Sequence, residues 1–191
     1  MSLNPRTKIN KAALTRYKES LKYALYVMTH PFDGFWDLTH EKRGSIAAAN
    51  TLLILTFLTN LWGMRFTNFM FNDVRWERVN IWSQVAGILA PLLLYVVANW
   101  CLTTLFDGKG RMSDVYMGMC YSLTPYIPIM NPVTIISNVV TKEEGAFLVY
   151  FNYLALAWAG GLILVSVMQI HDYSLMKAIL AIAFSAAGMM I

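Results

Sequence analysis

His30, Asp33, Asp37, His40 and Glu41 fall near helical spacing within one short segment. Imidazoles and carboxylates are the ligand types of zinc and related ions, so chemistry is sought here first. A helical zinc enzyme sets two histidines one turn apart with a glutamate beside the first, and structural sites pair closely spaced cysteines. Neither pattern is present, and the segment reads as the hydrated face of an interfacial helix. Nucleophilic chemistry finds no footing either. Cys101 and Cys120 are too few for a disulfide framework and are read as two buried, reduced thiols. His30, His40 and His171 lie outside the long apolar runs, so no Ser–His–Asp or Cys–His arrangement assembles within them. Asp107-Gly108-Lys109-Gly110 is too brief a turn to cradle a nucleotide. No enzymatic activity, metal or cofactor is expected.

The elements that must position these residues are long apolar runs. Four are long enough to cross a bilayer: Ile46–Met64, Ile81–Phe106, Val115–Ile136 and Phe147–Ile170. About 20 residues at 1.5 Å rise match a hydrocarbon core of about 30 Å. The chain is 57% hydrophobic and 14% charged, where soluble domains carry about a quarter charged residues. The expectation is an all-α, polytopic transmembrane bundle over residues 44–191. A fifth run, 178–191, covers about 21 Å of helix, so it is a span cut short or a re-entrant piece. It ends without a polar stop, and the native chain is expected to continue past Ile191. The first 44 residues hold no apolar core of a signal peptide, which leaves the first span as an uncleaved insertion signal.

Residues 1–43 form a basic arm. Leu14, Tyr17, Leu21, Leu25 and Met28 recur every three or four positions, with Arg16, Lys18, Glu19 and Lys22 elsewhere on the wheel, which predicts an amphipathic helix. Two placements fit it: flat on an anionic membrane surface, or packed by its stripe on the bundle. His30-Pro31 ends this helix, and a second short one follows with Phe32, Phe35, Trp36 and Leu38 toward lipid or bundle. An N-terminus in the cytoplasm puts eleven of the 15 basic residues inside, following the positive-inside rule.

Inside the spans no Asp, Glu, Lys or Arg occurs, which disfavours ion-coupled transport. Neutral polar residues such as Asn60, Asn99 and Asn152 read as interhelical glue. The third span carries Tyr121, Ser122, Pro125, Tyr126, Pro128, Asn131 and Pro132. Three prolines free backbone carbonyls that lipid cannot satisfy, so this helix must kink or unwind, with Ser122 and Thr124 available as local caps. Such a break is a fixed joint or, with Asn99, a transport path. Ala155, Ala159 and Gly160, with Ala183 and Ala187, offer small-residue faces for helix contact within one chain or between two.

At three places the chain resembles the Ypt/Rab-interacting-protein (YIP) domain family. Pro31-Phe32-Asp33-Gly34-Phe35-Trp36 precedes the first span. Phe106-Asp107-Gly108-Lys109-Gly110 with Asp114-Val115-Tyr116 leads into Tyr121-Ser122-Leu123-x-Pro125-Tyr126. Gln169-Ile170-His171-Asp172-Tyr173-Ser174 closes the fourth span. The resemblance covers most of residues 30–180. It implies five transmembrane helices, a cytoplasmic N-terminus and no catalysis. Eukaryotic members are associated with Rab-type GTPases and membrane traffic. This chain has a short arm and no Asp-Leu-Ala-Gly-Pro-like stretch, and is more similar to the prokaryotic branch, where no such GTPase is expected.

The expected function is a non-catalytic membrane scaffold or accessory subunit. Its partner surface would combine the arm, Asp107, Lys109, Arg111 and Asp114 of one loop, and His171 and Asp172 of another. The alternative is a small transport or channel component working through the broken third span. The expected partners are the lipid bilayer and a membrane protein or a second copy. No nucleic acid is expected, and the sequence names no small-molecule ligand.

Overall fold

The computed structural model describes residues 5–72, 74 and 76–190, with side chains for 14–72, 74, 77–102 and 107–190. The basic residues Arg6, Lys8, Lys11 and Arg75, and the terminal Ile191, lie outside the described side chains. All described regular structure is helical: α1 (Pro5–Thr29), α2 (Pro31–His40), α3 (Ile46–Phe66), α4 (Ile81–Phe106), α5 (Met112–Ser122), α6 (Tyr126–Ile136), α7 (Ala146–His171) and α8 (Leu175–Gly188). Short 3-10 turns at Trp76–Arg78 and Lys142–Gly145 lead into α4 and α7.

Three of these helices, α3, α4 and α7, are long and apolar enough to cross a membrane, and 22% to 33% of the apolar 18-residue stretch of each is buried inside the chain. Most of their apolar surface therefore faces outward, as a lipid solvent allows and water does not. The protein is an integral membrane protein. The run expected as a third span is divided into α5 and α6, and α8 has 14 residues.

The division follows from proline. Pro125 has no N–H to give to the Tyr121 carbonyl one turn back. That carbonyl instead accepts the Thr124 hydroxyl at 2.7 Å and the Thr124 N–H at 3.1 Å. Leu123 to Ile127 make tight three-residue turns, and Ser122 donates to the Gly118 carbonyl. The break is self-satisfied, with Tyr121, Ser122 and Pro125 fully buried. Pro128 sits in the first turn of α6, where its missing N–H costs nothing.

The centre of the bundle is α5 with α6. α5 packs against α3, α4 and α7, while α6 packs between α3 and α7, and α8 lies on α4 and α7. Gly118 sets the α5–α7 distance: a Cβ there would overlap the Ser166 hydroxyl and Ile170. α6 runs in the same direction as α3. Asn131 reaches Thr59, Thr134 lies by Gly63, and Asn138 bonds the Phe66 carbonyl.

The arm is docked on the bundle. α1 packs on α2, α3 and α5 through Ser20, Ala24 and Val27, with Tyr17 and Leu21 at the edges. This corrects the expected stripe: Leu14 and Leu25 are 53% and 58% exposed. Small Ser20 and Ala24 allow the closer approach, so the packed face is rotated away from the leucines. Side-chain hydrogen bonds reinforce this packing. Ser20 donates to the Arg43 carbonyl, the Tyr121 hydroxyl donates to the Ser20 carbonyl, and the Tyr17 and Thr51 hydroxyls pair at 2.7 Å. α2 turns back along α1 at Pro31 and buries Phe35 and Leu38, while Phe32 and Trp36 stay exposed.

Candidate functional site

One end of the bundle gathers α1, α2, the α4–α5 loop (residues 107–111) and the α7–α8 turn (172–174). Two contacts bind loop to turn. Lys109 Nζ meets Asp172 Oδ2 at 3.0 Å, and the Gly110 N–H donates to His171 Nδ1 at 3.2 Å. The loop backbone lies so close to α7 that a Cβ on Gly110 would overlap Ile170 and His171. Asp172 takes the left-handed conformation, φ 56° and ψ 40°, which aspartate tolerates better than most residues. The Tyr173 N–H then returns to the Met168 carbonyl and closes α7.

Behind this surface runs a buried relay. A backbone N–H can only donate, so Nδ1 of His171 accepts and Nε2 carries the proton. Nε2 lies 3.0 Å from Asn99 Oδ1. Asn99 Nδ2 donates to the Ser185 hydroxyl at 3.3 Å, which donates to the Ala181 carbonyl at 2.7 Å. Loop, α7, α4 and α8 are thereby tied by one directional chain through a neutral imidazole. His171 and Asn99 are each 2% exposed, and both ring nitrogens of His171 and both polar atoms of Asn99 have a partner.

The expected surface residues divide accordingly. Asp107, Lys109, Arg111 and Asp172 are exposed. Asp114 is half-buried and accepts the Arg111 N–H at the start of α5. His171 is a buried fastener, which corrects its place on the expected partner surface. Tyr173, not singled out from sequence, is buried beside it with the rings stacked. Burial, and then Asp107, push its hydroxyl pKa up. On the arm, Arg16, Lys18, Lys22, Lys42 and Arg43 are exposed at this end, together with Glu19, Asp33 and Glu41.

Of the five residues of metal-ligand type, Asp33 is exposed and the other four have partners. His30 stacks on Tyr26 and lies 2.9 Å from the Thr29 hydroxyl, and His40 stacks on Trp36. Asp37 accepts from the Tyr23 hydroxyl at 3.2 Å and faces Arg43, which also meets Glu41 at 2.7 Å. Burial first, and then Asp37, raise the Tyr23 hydroxyl pKa well above its ordinary value.

The residues expected along a transport path fall into two groups. Asn99, Tyr121 and Ser122 are packed solid, while Tyr126 and Asn131 belong to the opposite half of the bundle. Cys120 is buried but Cys101 is exposed, against the expectation of two buried thiols. Ala155 and Ala159 are buried within the chain, whereas Gly160, Ala183 and Ala187 face outward.

The family model of the Yip1 domain matches residues 25–191. No curated protein and no solved structure matches the chain.

Proposed function

The chain belongs to the Yip1 domain family, and on that premise we propose that it is a non-catalytic membrane scaffold, an accessory subunit that binds a membrane-protein partner. It passes the bilayer five times, with jointed α5–α6 as the third pass and α8 as the fifth. The end bearing α1 and α2 faces the cytoplasm, in keeping with the distribution of basic residues. On that side α1 and α2 lie at the membrane interface, with exposed Leu25, Phe32 and Trp36 available to head groups.

The observation that carries the reading is the Lys109–Asp172 ion pair backed by the Gly110–His171 bond. It makes one preformed surface of two loops, and a preformed surface loses little entropy on binding. Exposed charge of both signs at its rim suits recognition of a partner with complementary charge.

Purification of the tagged protein from native membranes in mild detergent tests this. The double variant K109E/R111E should lose a partner that the wild type retains in stoichiometric amount, with helicity and elution volume unchanged. The swap K109D/D172K, which keeps an internal pair, separates loss of loop geometry from loss of surface charge. A partner retained by K109E/R111E, or no partner on the wild type, overturns the proposal.

A further inference from the structure

The chain of hydrogen bonds through His171 can be read from either end, and both ends give the same proton arrangement. At one end the Gly110 N–H donates to Nδ1 at 3.2 Å, so Nδ1 carries no proton. At the other the Ser185 hydroxyl gives its hydrogen to the Ala181 carbonyl at 2.7 Å. Asn99 therefore donates to Ser185 through Nδ2 and turns Oδ1 to the ring, where an amide oxygen can only accept from Nε2. The closed geometry requires a neutral ring with its one proton on Nε2.

A second proton goes to Nδ1, and there it meets a donor. Two N–H groups cannot share that bond, and the approach is too tight to slide: a Cβ on Gly110 would lie 2.7 Å and 2.9 Å from Cε1 and Nδ1 of the ring. The bond from Nε2 to Asn99 is untouched by the same proton. Acid thus acts on one side of the ring, and that is the side able to yield. Gly110 is half-buried, so its N–H reaches water once the loop moves out. The remaining tie, Lys109 to Asp172, is an exposed ion pair with little strength of its own.

A charged ring is also accommodated where it stands. Tyr173 stacks on it with ring centroids 5.1 Å apart, within cation–π reach, and the Asp114 carboxylate acts on it from α5. The other charged or titratable groups on the neighbouring elements are Asp107, Lys109 and Arg111 in the loop, Asp172 next in the chain and Lys177 on α8. Asp33, Asp37 and His40 stand on α2, which packs against α7. The sequence of α4 brings none.

We propose that His171 is an acid-released latch: a second ring proton frees the 107–111 loop from the end of α7, while Asn99 and Ser185 keep α4, α7 and α8 tied. The latch regulates the partner surface proposed above and rests on that reading for its consequence. The closed loop excludes the second proton and the open loop admits it. Opening is therefore favoured as pH falls below about 6.5, the ordinary histidine value, and the loop stays shut above it.

The full chain in lipid nanodiscs, with nitrogen-labelled histidine followed by NMR, tests the ring directly. At about pH 7.5 His171 should show a protonated Nε2 and a bare Nδ1, and at about pH 5 both nitrogens should be protonated. Amide exchange in the 107–111 loop, corrected for the intrinsic effect of pH, should quicken roughly tenfold between the two. Amides flanking Asn99 and Ser185 should keep their rates. His171→Gln offers an acceptor and a donor that do not titrate, so its loop exchange should stay constant, with exposed His30 and His40 still present as controls. If His171→Gln does not fold, His30→Gln/His40→Gln leaves His171 as the single labelled ring and carries the test. A ring doubly protonated at about pH 7.5, or still neutral at about pH 5, overturns the proposal. So does equal quickening in His171→Gln, or quickening that spreads equally to α4 and α8. Neither readout needs a partner. A partner kept at about pH 5 over an opened loop overturns the surface reading alone, and a loop closed at that pH overturns the latch alone.

Discussion

Nδ1 of His171, the last residue of α7, accepts the backbone N–H of Gly110 from a loop 61 residues earlier in the chain. This bond places a helix end and a loop in fixed register, and it also fixes the imidazole tautomer that lets Nε2 reach Asn99. The surface outside and the interhelical chain inside are thus set by one ring.

His171→Ala should lower stability by about 1–3 kcal/mol, because it strands the Gly110 donor and the Asn99 acceptor in buried positions. Asn99→Ala should cost a similar amount, and the double variant should cost less than the sum, since both remove the same bond. Thermal unfolding in detergent measures the stability. Limited proteolysis at the 107–111 loop should quicken in both single variants. Strict additivity would show that the two side chains act separately.

Gly118→Ala should destabilise by about 1–3 kcal/mol through overpacking, since its Cβ meets Ser166 and Ile170. Ser166→Ala removes the atom it meets most closely and should restore part of that loss in the double variant. At Gly87 and Gly160 a Cβ would find nothing within 4 Å, and alanine there should be neutral or mildly stabilising through helix propensity. Equal losses at Gly118 and Gly160 would remove the close-approach explanation.

Tyr23 gives a pH dependence with a definite sign. Its hydroxyl pKa in the folded protein is raised by burial and then by Asp37, above the value of about 10 for a free tyrosine. The stability it contributes is complete below that value. As pH rises past it, the unfolded chain releases the proton while the folded one holds it, so folding is progressively disfavoured. Detachment of the α1–α2 hairpin, followed by a spin label on α1, should begin at alkaline pH in the wild type and move higher in Tyr23→Phe. Coincident curves for the two proteins would assign the transition to another group.

Much of this architecture is legible in the sequence because its signals are local. A run of apolar residues announces a span, His30-Pro31 announces the α1–α2 turn, and Pro125 with Thr124 announces the break between α5 and α6. The packed face of α1 is not legible, because Ser20 and Ala24 outcompete larger Leu14 and Leu25 through closeness of approach rather than hydrophobicity. The burial of His171 is hidden for a similar reason: a histidine at a helix end reads as exposed until Gly110 and Asn99 arrive from elsewhere in the chain. The hollow lined by Asn60 and Gly63 of α3, Tyr126 and Met130 of α6, and Val149 and Asn152 of α7 is not legible either, because it draws on three helices separated in the chain.

Thr124 should matter only because Pro125 follows it. Its hydroxyl donates to the Tyr121 carbonyl at 2.7 Å, the acceptor that an ordinary residue at position 125 would reach with its own N–H. Thr124→Val keeps shape and removes the donor, so it should cost about 1 kcal/mol. In Thr124→Val/Pro125→Ala the alanine N–H can replace the lost hydroxyl as a donor to that carbonyl, and the joint can straighten toward continuous helix. The double variant should therefore recover stability, gain helical circular dichroism and shift the position of α6 against Thr59 and Gly63. A double variant no more stable than Thr124→Val would show that the joint is held by the surrounding helices and not by the hydrogen-bond demand of the proline.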